Sequence, residues 1–313
     1  MAYHKKIQPV LAKHILPLAS IALVIAIVAN LQAGFAQILT PSQSLEVSPP
    51  SQELAADPGQ RVTARAKLRN RSNDSINVKV RVEDFTAAGE EGQVALVEKS
   101  PYSITSWTKL EPDAFALKAF ESREVTATIS VPDNAAGGRY GSFVFSVGGA
   151  PGDGTTTAVA QEIASLFLVK ISGPVTESLS VAEFSAPSFV EFGPVPFTLK
   201  FTNAGNVHVK PFGLINVRNV FGGTVQDVVV AGQANIFPGA SRAVSVHLDK
   251  KWLIGPFTAQ AVLNYGSKNE SLSATTTFFA FPVRVAAAGL LLGVVLYLTR
   301  KRIRLALKAL MGK

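Results

Sequence analysis

Alternation of apolar and polar residues dominates the middle of the chain and predicts short β-strands with one buried face. Residues 61–69 alternate Val, Ala and Leu with Arg, Thr and Lys, and residues 76–85 repeat this period. A period of two is typical of antiparallel strands that have one solvated face. The polar stretch Asn70–Ser75 separates the two runs, so we expect them to pair as a hairpin.

Further strands of this kind fall into two groups, divided at Ser172-Gly173-Pro174. Residues 43–172 form the first predicted module, in which the less regular segment 101–118 is expected to be a loop that covers one end. Residues 175–277 form the second. About seven short strands in the first module, and the same pattern restarting in the second, predict an all-β protein with two tandem immunoglobulin-like β-sandwiches and a C-terminal transmembrane helix.

The transmembrane helix is predicted at residues 278–299, because about 20 largely apolar residues cross a bilayer. Residues 300–313 form a basic tail, which is expected to stay in the cytoplasm and to leave the rest of the chain outside. The single charge inside the span, Arg284, lies near its upstream end, where it can reach the headgroups. The residues predicted to form this anchor and its basic flank are Phe281, Arg284, Leu290, Leu291, Leu292, Val294, Val295, Leu296, Tyr297, Arg300, Lys301, Arg302 and Arg304.

A second apolar run, Ile15–Leu31, follows three lysines near the N-terminus. Residues 1–36 are therefore predicted to be a signal peptide, with cleavage between Ala36 and Gln37, or an uncleaved N-terminal anchor. Either outcome places the two modules outside the cytoplasm. The protein is expected to be a single-pass cell-membrane protein if the leader is removed.

The formal net charge of +8 comes from the two ends of the chain. Three Lys lie in residues 1–36 and seven Lys or Arg lie in residues 284–313, which leaves 20 basic residues in the body against all 22 acidic ones. A body with this balance gives no support for a nucleic-acid partner. The absence of cysteine excludes disulfides, thiol catalysis and Cys-ligated metal centres.

No convincing set of catalytic residues emerges, so we predict a protein that is not an enzyme and that carries no cofactor or metal. Outside the leader, the histidines are His208 and His247, and each is expected to be a surface or strand-edge residue. The acidic pairs Glu83-Asp84 and Glu90-Glu91 are sequence neighbours, so their side chains are expected to point apart or into solvent.

Several motifs resemble the N-terminal module of the bacterial WxL-interacting proteins. They are Val47-Ser48-Pro49-Pro50, Asp57-Pro58-Gly59, Ser106-Trp107, Val131-Pro132-Asp133-Asn134-Ala135 and Gly137-Gly138-Arg139-Tyr140-Gly141. The resemblance implies a cell-surface immunoglobulin-like module that is associated with peptidoglycan. It also implies a membrane-proximal module that contacts protein partners.

These observations favour a membrane-anchored extracytoplasmic binding or scaffold protein. Its expected partners are the lipid bilayer and either peptidoglycan or another cell-surface protein. The alternative is an envelope assembly factor or chaperone that acts by β-strand addition, and an enzyme acting on wall polymer is the third hypothesis. Exposed strand edges and the loop Gly148–Thr157 are the predicted recognition surfaces.

Overall fold

The structure is a computed structural model, and it describes residues 45–147, 161–232 and 234–310. Two β-sandwiches follow each other along the chain and a helix ends the described part, so the predicted fold class is confirmed. The first sandwich contains strands β1 (Leu45–Ser48), β2 (Ser51–Ala56), β3 (Arg61–Asn70), β4 (Ile76–Ala88), β5 (Gln93–Val97), β6 (Thr108–Glu111), β7 (Ala114–Leu117), β8 (Ser122–Ser130), β9 (Gly137–Val147) and β10 (Gln161–Ile171).

The first sandwich packs a sheet of order β1-β3-β8-β6 against a sheet of order β2-β10-β9-β4-β5, with β7 also pairing with β4. The chain changes sheet at Pro49-Pro50, because β1 pairs antiparallel with β3 whereas β2 pairs parallel with β10. The segment 101–118 is more regular than expected, since it holds a 3-10 turn (Thr105–Trp107) and strands β6 and β7.

The expected hairpin of residues 61–69 and 76–85 is wrong. Strands β3 and β4 lie in different sheets, and their alternating apolar residues face each other across the core. The buried Asn70 shapes the crossing: its Nδ2 donates to the carbonyls of Asp74 and Lys118, and its Oδ1 accepts from the backbone N–H of Ser72. The side-chain bonds replace the ladder bonds of a hairpin, so a polar turn alone cannot tell the two geometries apart.

The second sandwich packs a sheet of order β11-β13-β16 against a sheet of order β12-β18-β17-β14-β15. Its core is built from the alternating aliphatic and aromatic residues of β13 and β17. The strands are β11 (Leu179–Ser185), β12 (Phe189–Val190), β13 (Val195–Asn203), β14 (Phe212–Asn219), β15 (Thr224–Ala231), β16 (Ser241–Leu248), β17 (Gly255–Tyr265) and β18 (Glu270–Ala280).

A buried asparagine also ends β13, in the place that Asn70 has at the end of β3. The Nδ2 of Asn203 donates to the carbonyls of Val207 and Ile236, and its Oδ1 accepts from the backbone N–H of Gly205. The two sandwiches therefore use the same side-chain device to leave their first long strand.

Helix α1 (Val283–Leu310) ends the described chain, and its segment Val283–Lys301 is long and apolar enough to cross a membrane. The predicted start of this helix at residue 278 is wrong. Residues 278–280 belong to β18, where Phe278 is buried and stacks on Phe257 with ring centroids 5.2 Å apart. The apolar end of a core strand merges here with the apolar start of the span, so hydropathy cannot separate them. The helix also continues through the basic segment instead of ending at 299.

Candidate functional site

The two sandwiches meet at an aromatic cluster around Tyr140, which comes from β9. The Tyr140 ring contacts Phe85, His208 and Phe237 with centroid distances of 5.9, 5.6 and 5.0 Å. Its hydroxyl accepts a hydrogen bond of 2.8 Å from the backbone N–H of His208. Burial raises the pKa of the Tyr140 hydroxyl, so the group stays protonated.

His208 is buried in this joint, and the prediction of a surface or edge histidine is wrong for it. The loop after Asn203 packs against the first sandwich, and its backbone is held there because Asn206 accepts a 2.8 Å bond from the N–H of Gly138. Burial lowers the pKa of His208 to about 4, although the nearby Glu53 acts in the opposite direction. The imidazole is therefore neutral at neutral pH.

The motif around Gly138 acquires a structural role from the same joint. A Cβ at Gly138 would collide with the Tyr140 hydroxyl and would lie 3.3 Å from the Cα of Val207. Glycine at this position therefore leaves the space that the Tyr140 hydroxyl occupies beside His208. The run Gly137-Gly138-Arg139-Tyr140-Gly141 thus builds the connection between sandwiches, and no ligand role is needed to explain it.

Two ion pairs lie beside the aromatic cluster, on the opening between the sandwiches. Glu53 from β2 accepts bonds from Lys210 at 2.6 Å and from Asn235 at 2.8 Å. Glu177 pairs with Lys170 and accepts the backbone N–H of Ser267 at 2.6 Å. Burial alone would raise the pKa of both carboxyl groups, but together the bonds hold each pKa below its usual value.

The opening is a cleft of about 610 Å³ that combines these charges with apolar walls. Such a mixture of convergent polar groups and apolar surface is common in binding sites. Its lining residues are Glu53, Lys170, Glu177, His208, Val209, Lys210, Phe212, Ala231, Gly232, Gly266 and Ser267.

An exposed apolar stripe runs from this cleft across the outer face of the second sandwich. Leu214 on β14 lies opposite Val229 on β15 and opposite Val262 on β17, so the three side chains share one face. Their exposed fractions are 43, 64 and 50%. Leu214 and Val262 are on inner strands, where such exposure is high for aliphatic residues, whereas Val229 is on the edge strand β15. Phe212 lies on the same face of β14 and also lines the cleft.

The corresponding face of the first sandwich is covered. Val144 on β9 lies opposite Arg81 on β4, yet it is fully buried. The Arg81 guanidinium pairs with Glu83 at 2.6 Å and with Glu162 at 2.9 Å. A second pocket of about 400 Å³ lies beside it and is lined by Lys79, Val80, Arg81, Asp113, Ala114 and Ser146.

Glu83, Asp84 and Glu90, from the acidic pairs singled out in the sequence, each have separate partners. Glu83 belongs to the Arg81 network, while the buried Asp84 accepts bonds from the N–H groups of Ser100 and Ile104 and from Thr105 Oγ1. Glu90 pairs with Lys200 of the second sandwich. His247 is exposed on β16, as expected. No group of three or more His, Asp or Glu in the described ranges could hold a metal ion.

The predicted anchor residues separate into three groups. Phe281 precedes helix α1, and Arg284 is its second residue. Glu191 holds this start, because its Oε1 accepts the backbone N–H of Arg284 at 2.6 Å and its Oε2 lies 3.3 Å from the guanidinium. The apolar members from Leu290 to Tyr297 are all exposed on the helix. Arg300, Lys301, Arg302 and Arg304 follow within it, and Arg300 lies over the Tyr297 ring at 4.1 Å.

Two other predicted elements, the loop Gly148–Thr157 and the cleavage site at Ala36 and Gln37, lie outside the described residues. Sequence reasoning missed the joint, the cleft and the apolar stripe. The stripe had a readable signal, since Val228-Val229-Val230 and the apolar pair Val262-Leu263 interrupt the alternation of their strands. The contact between Tyr140 and His208 joins residues 68 positions apart, and no signal in the sequence indicated it.

No protein-family model and no curated protein matches the chain. Solved structures with similar folds include the class 5 fimbriae chaperone CfaA, at 16% identity and a TM-score of 0.40, over 75% of this chain and 98% of that one. The CsuC–CsuE chaperone–tip adhesion subunit complex of Acinetobacter baumannii has 12% identity, a TM-score of 0.34 and coverage of 76% and 99%. The Salmonella enterica SafA pilin–SafB chaperone complex has 14% identity and a TM-score of 0.35, over 74% of this chain and 96% of that one. At such scores the likeness carries no argument about function.

Proposed function

We propose that this chain is a membrane-anchored extracytoplasmic protein that binds a protein partner without catalytic turnover. Helix α1 spans the bilayer with the C-terminus in the cytoplasm, and the second sandwich presents the binding surface. The observation that carries this proposal is the apolar stripe of Leu214, Val229 and Val262, which nothing in the described chain covers.

The chemistry of the surface favours a polypeptide partner. Contiguous exposed aliphatic residues gain free energy when another apolar surface removes them from water. The cleft next to the stripe adds Lys170, Lys210 and Glu53, which can orient the polar groups of a partner at the edge of the contact. An apolar centre with a charged rim is the usual anatomy of a protein–protein interface.

Binding can be tested with the full chain in detergent micelles, offered a surface-protein extract and, separately, purified peptidoglycan. The variant Leu214→Lys places a cation in the stripe and is expected to weaken protein binding at least about tenfold. Thr63→Lys is the matched control, because Thr63 is an exposed mid-strand residue of the first sandwich. Equal retention of the protein partner by both variants would contradict the proposal.

The orientation of the chain has a separate test that uses its lack of cysteine. The basic residues after the span are expected to stay in the cytoplasm. A membrane-impermeant thiol reagent should therefore label Thr63→Cys in intact cells, and it should label Lys308→Cys only after permeabilisation. The reverse pattern would show that the chain is inverted.

Peptidoglycan is a second candidate ligand, and the pocket beside Arg81 favours it. This pocket is lined by Lys79, Arg81, Asp113 and Ser146, which are groups that suit a polar polymer better than an apolar segment. The resemblance to the WxL-interacting proteins also assigns peptidoglycan to the first module. Retention on peptidoglycan that is lost in Lys79→Glu but kept in Leu214→Lys would assign the two ligands to different sandwiches.

β-strand addition remains the alternative mode, and one strand edge favours it. Within the described ranges, β2 pairs with residues 166–171 of β10, and no strand pairs with residues 162–164 on that side. An incoming strand could extend the sheet there. A photo-crosslinker at Glu162 that captures an incomplete β-protein would support this mode, and capture from position 214 alone would exclude it.

A further inference from the structure

We propose that the membrane-proximal end of the second sandwich is itself a lipid-binding surface that lies in the outer headgroup layer. The surface consists of Phe189, Phe192, Trp252, Ile254, Phe279 and Phe281, together called the aromatic collar, with Lys250 and Lys251 beside it. The inference deepens the proposed function, because it rests on helix α1 crossing the bilayer.

The collar lies close to the start of helix α1. Ala280, the last residue of β18, lies opposite Gly255 on β17, and helix α1 begins three residues later at Val283. Paired residues are about 5 Å apart, and the three residues from Trp252 to Gly255 span at most about 11 Å. Trp252 therefore lies within about 16 Å of Ala280, which is three residues before the start of the helix.

Direct contacts join the collar into one surface. The Phe189 and Phe279 rings stack with centroids 6.2 Å apart, and Trp252 meets Phe192 edge-on at 5.2 Å. The backbone N–H of Phe281 donates to Val190, and that of Gly193 donates to Lys251. The loop that carries Trp252 is thus fixed to the strand that leads into the helix.

Exposure makes the collar unusual for a water-facing surface. Trp252 is 55% and Ile254 is 68% exposed, while Lys250 and Lys251 are also exposed. Trp is enriched where protein meets the membrane interface, since one end of its ring system is apolar and the other can donate a hydrogen bond. Cations next to such aromatics complement lipid phosphate, and Asp249 is the one acid in the loop 249–254.

The chain contains its own control for the test, because Trp107 and Trp252 are its two tryptophans. Trp107 packs against the core of the first sandwich, and Arg139 lies over its ring. The full chain is reconstituted into vesicles of phosphatidylcholine and phosphatidylglycerol whose acyl chains are brominated near the headgroup, since bromine quenches indole at short range. Trp107→Phe leaves Trp252 as the reporter, and Trp252→Phe leaves Trp107.

We expect loss and a blue shift of Trp252 emission in the brominated vesicles, and unchanged Trp107 emission. If Trp107→Phe does not fold, the difference between the unmodified chain and Trp252→Phe gives the same reading. Flotation with the vesicles reports insertion of helix α1 independently. Flotation without quenching of Trp252 would overturn the collar alone, and failure to float would overturn the collar and the anchor together. Equal quenching of both tryptophans would also overturn the proposal, because it would mean non-specific adsorption.

Discussion

The outer faces of the two large sheets differ although the sandwiches are built alike. In the first, Val144 is fully buried, and Arg81, which lies opposite it on β4, is held by Glu83 and Glu162. In the second, Leu214 and Val262 occupy comparable mid-sheet positions and remain about half exposed. A long cation held by two acids can cover an aliphatic residue. Among the described residues, no comparable ion-pair network lies over Leu214 and Val262, which supports the proposal that a partner binds this face.

The largest expected effect concerns what the sandwiches share, the buried asparagine after their first long strand. Asn203→Ala removes the hydrogen bonds that this side chain makes with the backbone of Val207, Ile236 and Gly205. Asn70→Ala removes the matching bonds with Asp74, Lys118 and Ser72. Each variant should lower the free energy of unfolding by about 3 kcal/mol, counting about 1 kcal/mol for each of the three backbone hydrogen bonds that are lost. Chemical denaturation measures this loss. A small loss of stability in one variant alone would mean that the turns after Asn70 and Asn203 are not equivalent.

Acidification should destabilise the turn after Asn203 in the second sandwich and leave the turn after Asn70 in the first sandwich unchanged. The loop after Asn203 carries the buried His208, whereas the turn after Asn70 is largely exposed. The pKa of His208 is about 4 in the folded state and near its ordinary 6.5 when unfolded. Its contribution to the free energy of unfolding is therefore complete above about pH 6.5 and is lost as the pH falls from 6.5 through 4. The loss is at most about 3 kcal/mol.

Denaturation of the wild type and of His208→Gln, followed across this pH range, measures that contribution. The charged groups that act on His208 are Glu53, Glu177, Lys170 and Lys210, and the Tyr140 hydroxyl contacts it. The variant cannot titrate at this position, so its stability should fall less between neutral and acid pH. Parallel curves for the two proteins would show that protonation of His208 does not cause the loss of stability at acid pH.

Removing the Arg81 side chain should make the outer face of the first sheet more apolar and more exposed, as the face of the second sheet is. Arg81→Ala removes the cover of Val144, and we expect a loss of about 1 kcal/mol or less because the ion pairs are largely solvated. The free energy of unfolding and the binding of an apolar fluorescent dye would be measured together. Dye binding should rise, while retention of the protein partner should stay unchanged. A loss of the partner would move the proposed binding surface to the first sandwich.

The smallest effect on stability is expected at the stripe. Leu214→Lys changes an exposed side chain, so the free energy of unfolding should change by no more than about 0.5 kcal/mol. Thermal denaturation beside Thr63→Lys checks this. A large destabilisation would show that Leu214 supports the fold, and the weakened binding could then not be attributed to a contact.

Local periodicity was sufficient to predict the strands and the fold class, because one face of β3, β8 and β13 had to be apolar. Periodicity failed to predict the structure where two different local structures have the same pattern of apolar and polar residues. Asn70–Ser75 suits a hairpin and a crossing between sheets equally well, and Phe278 suits a core strand and a membrane helix. The joint was beyond reach, because the burial of His208 depends on how one sandwich packs against the other.

The central claim is that the uncovered face of the second sandwich meets a protein outside the membrane. It is tested most directly by a photo-crosslinking residue placed at position 214 or, as the matched site on the covered face, at position 81, in intact cells. The account predicts one discrete protein adduct from position 214 and none of that adduct from position 81. The same adduct from both positions, or from position 81 alone, would contradict it.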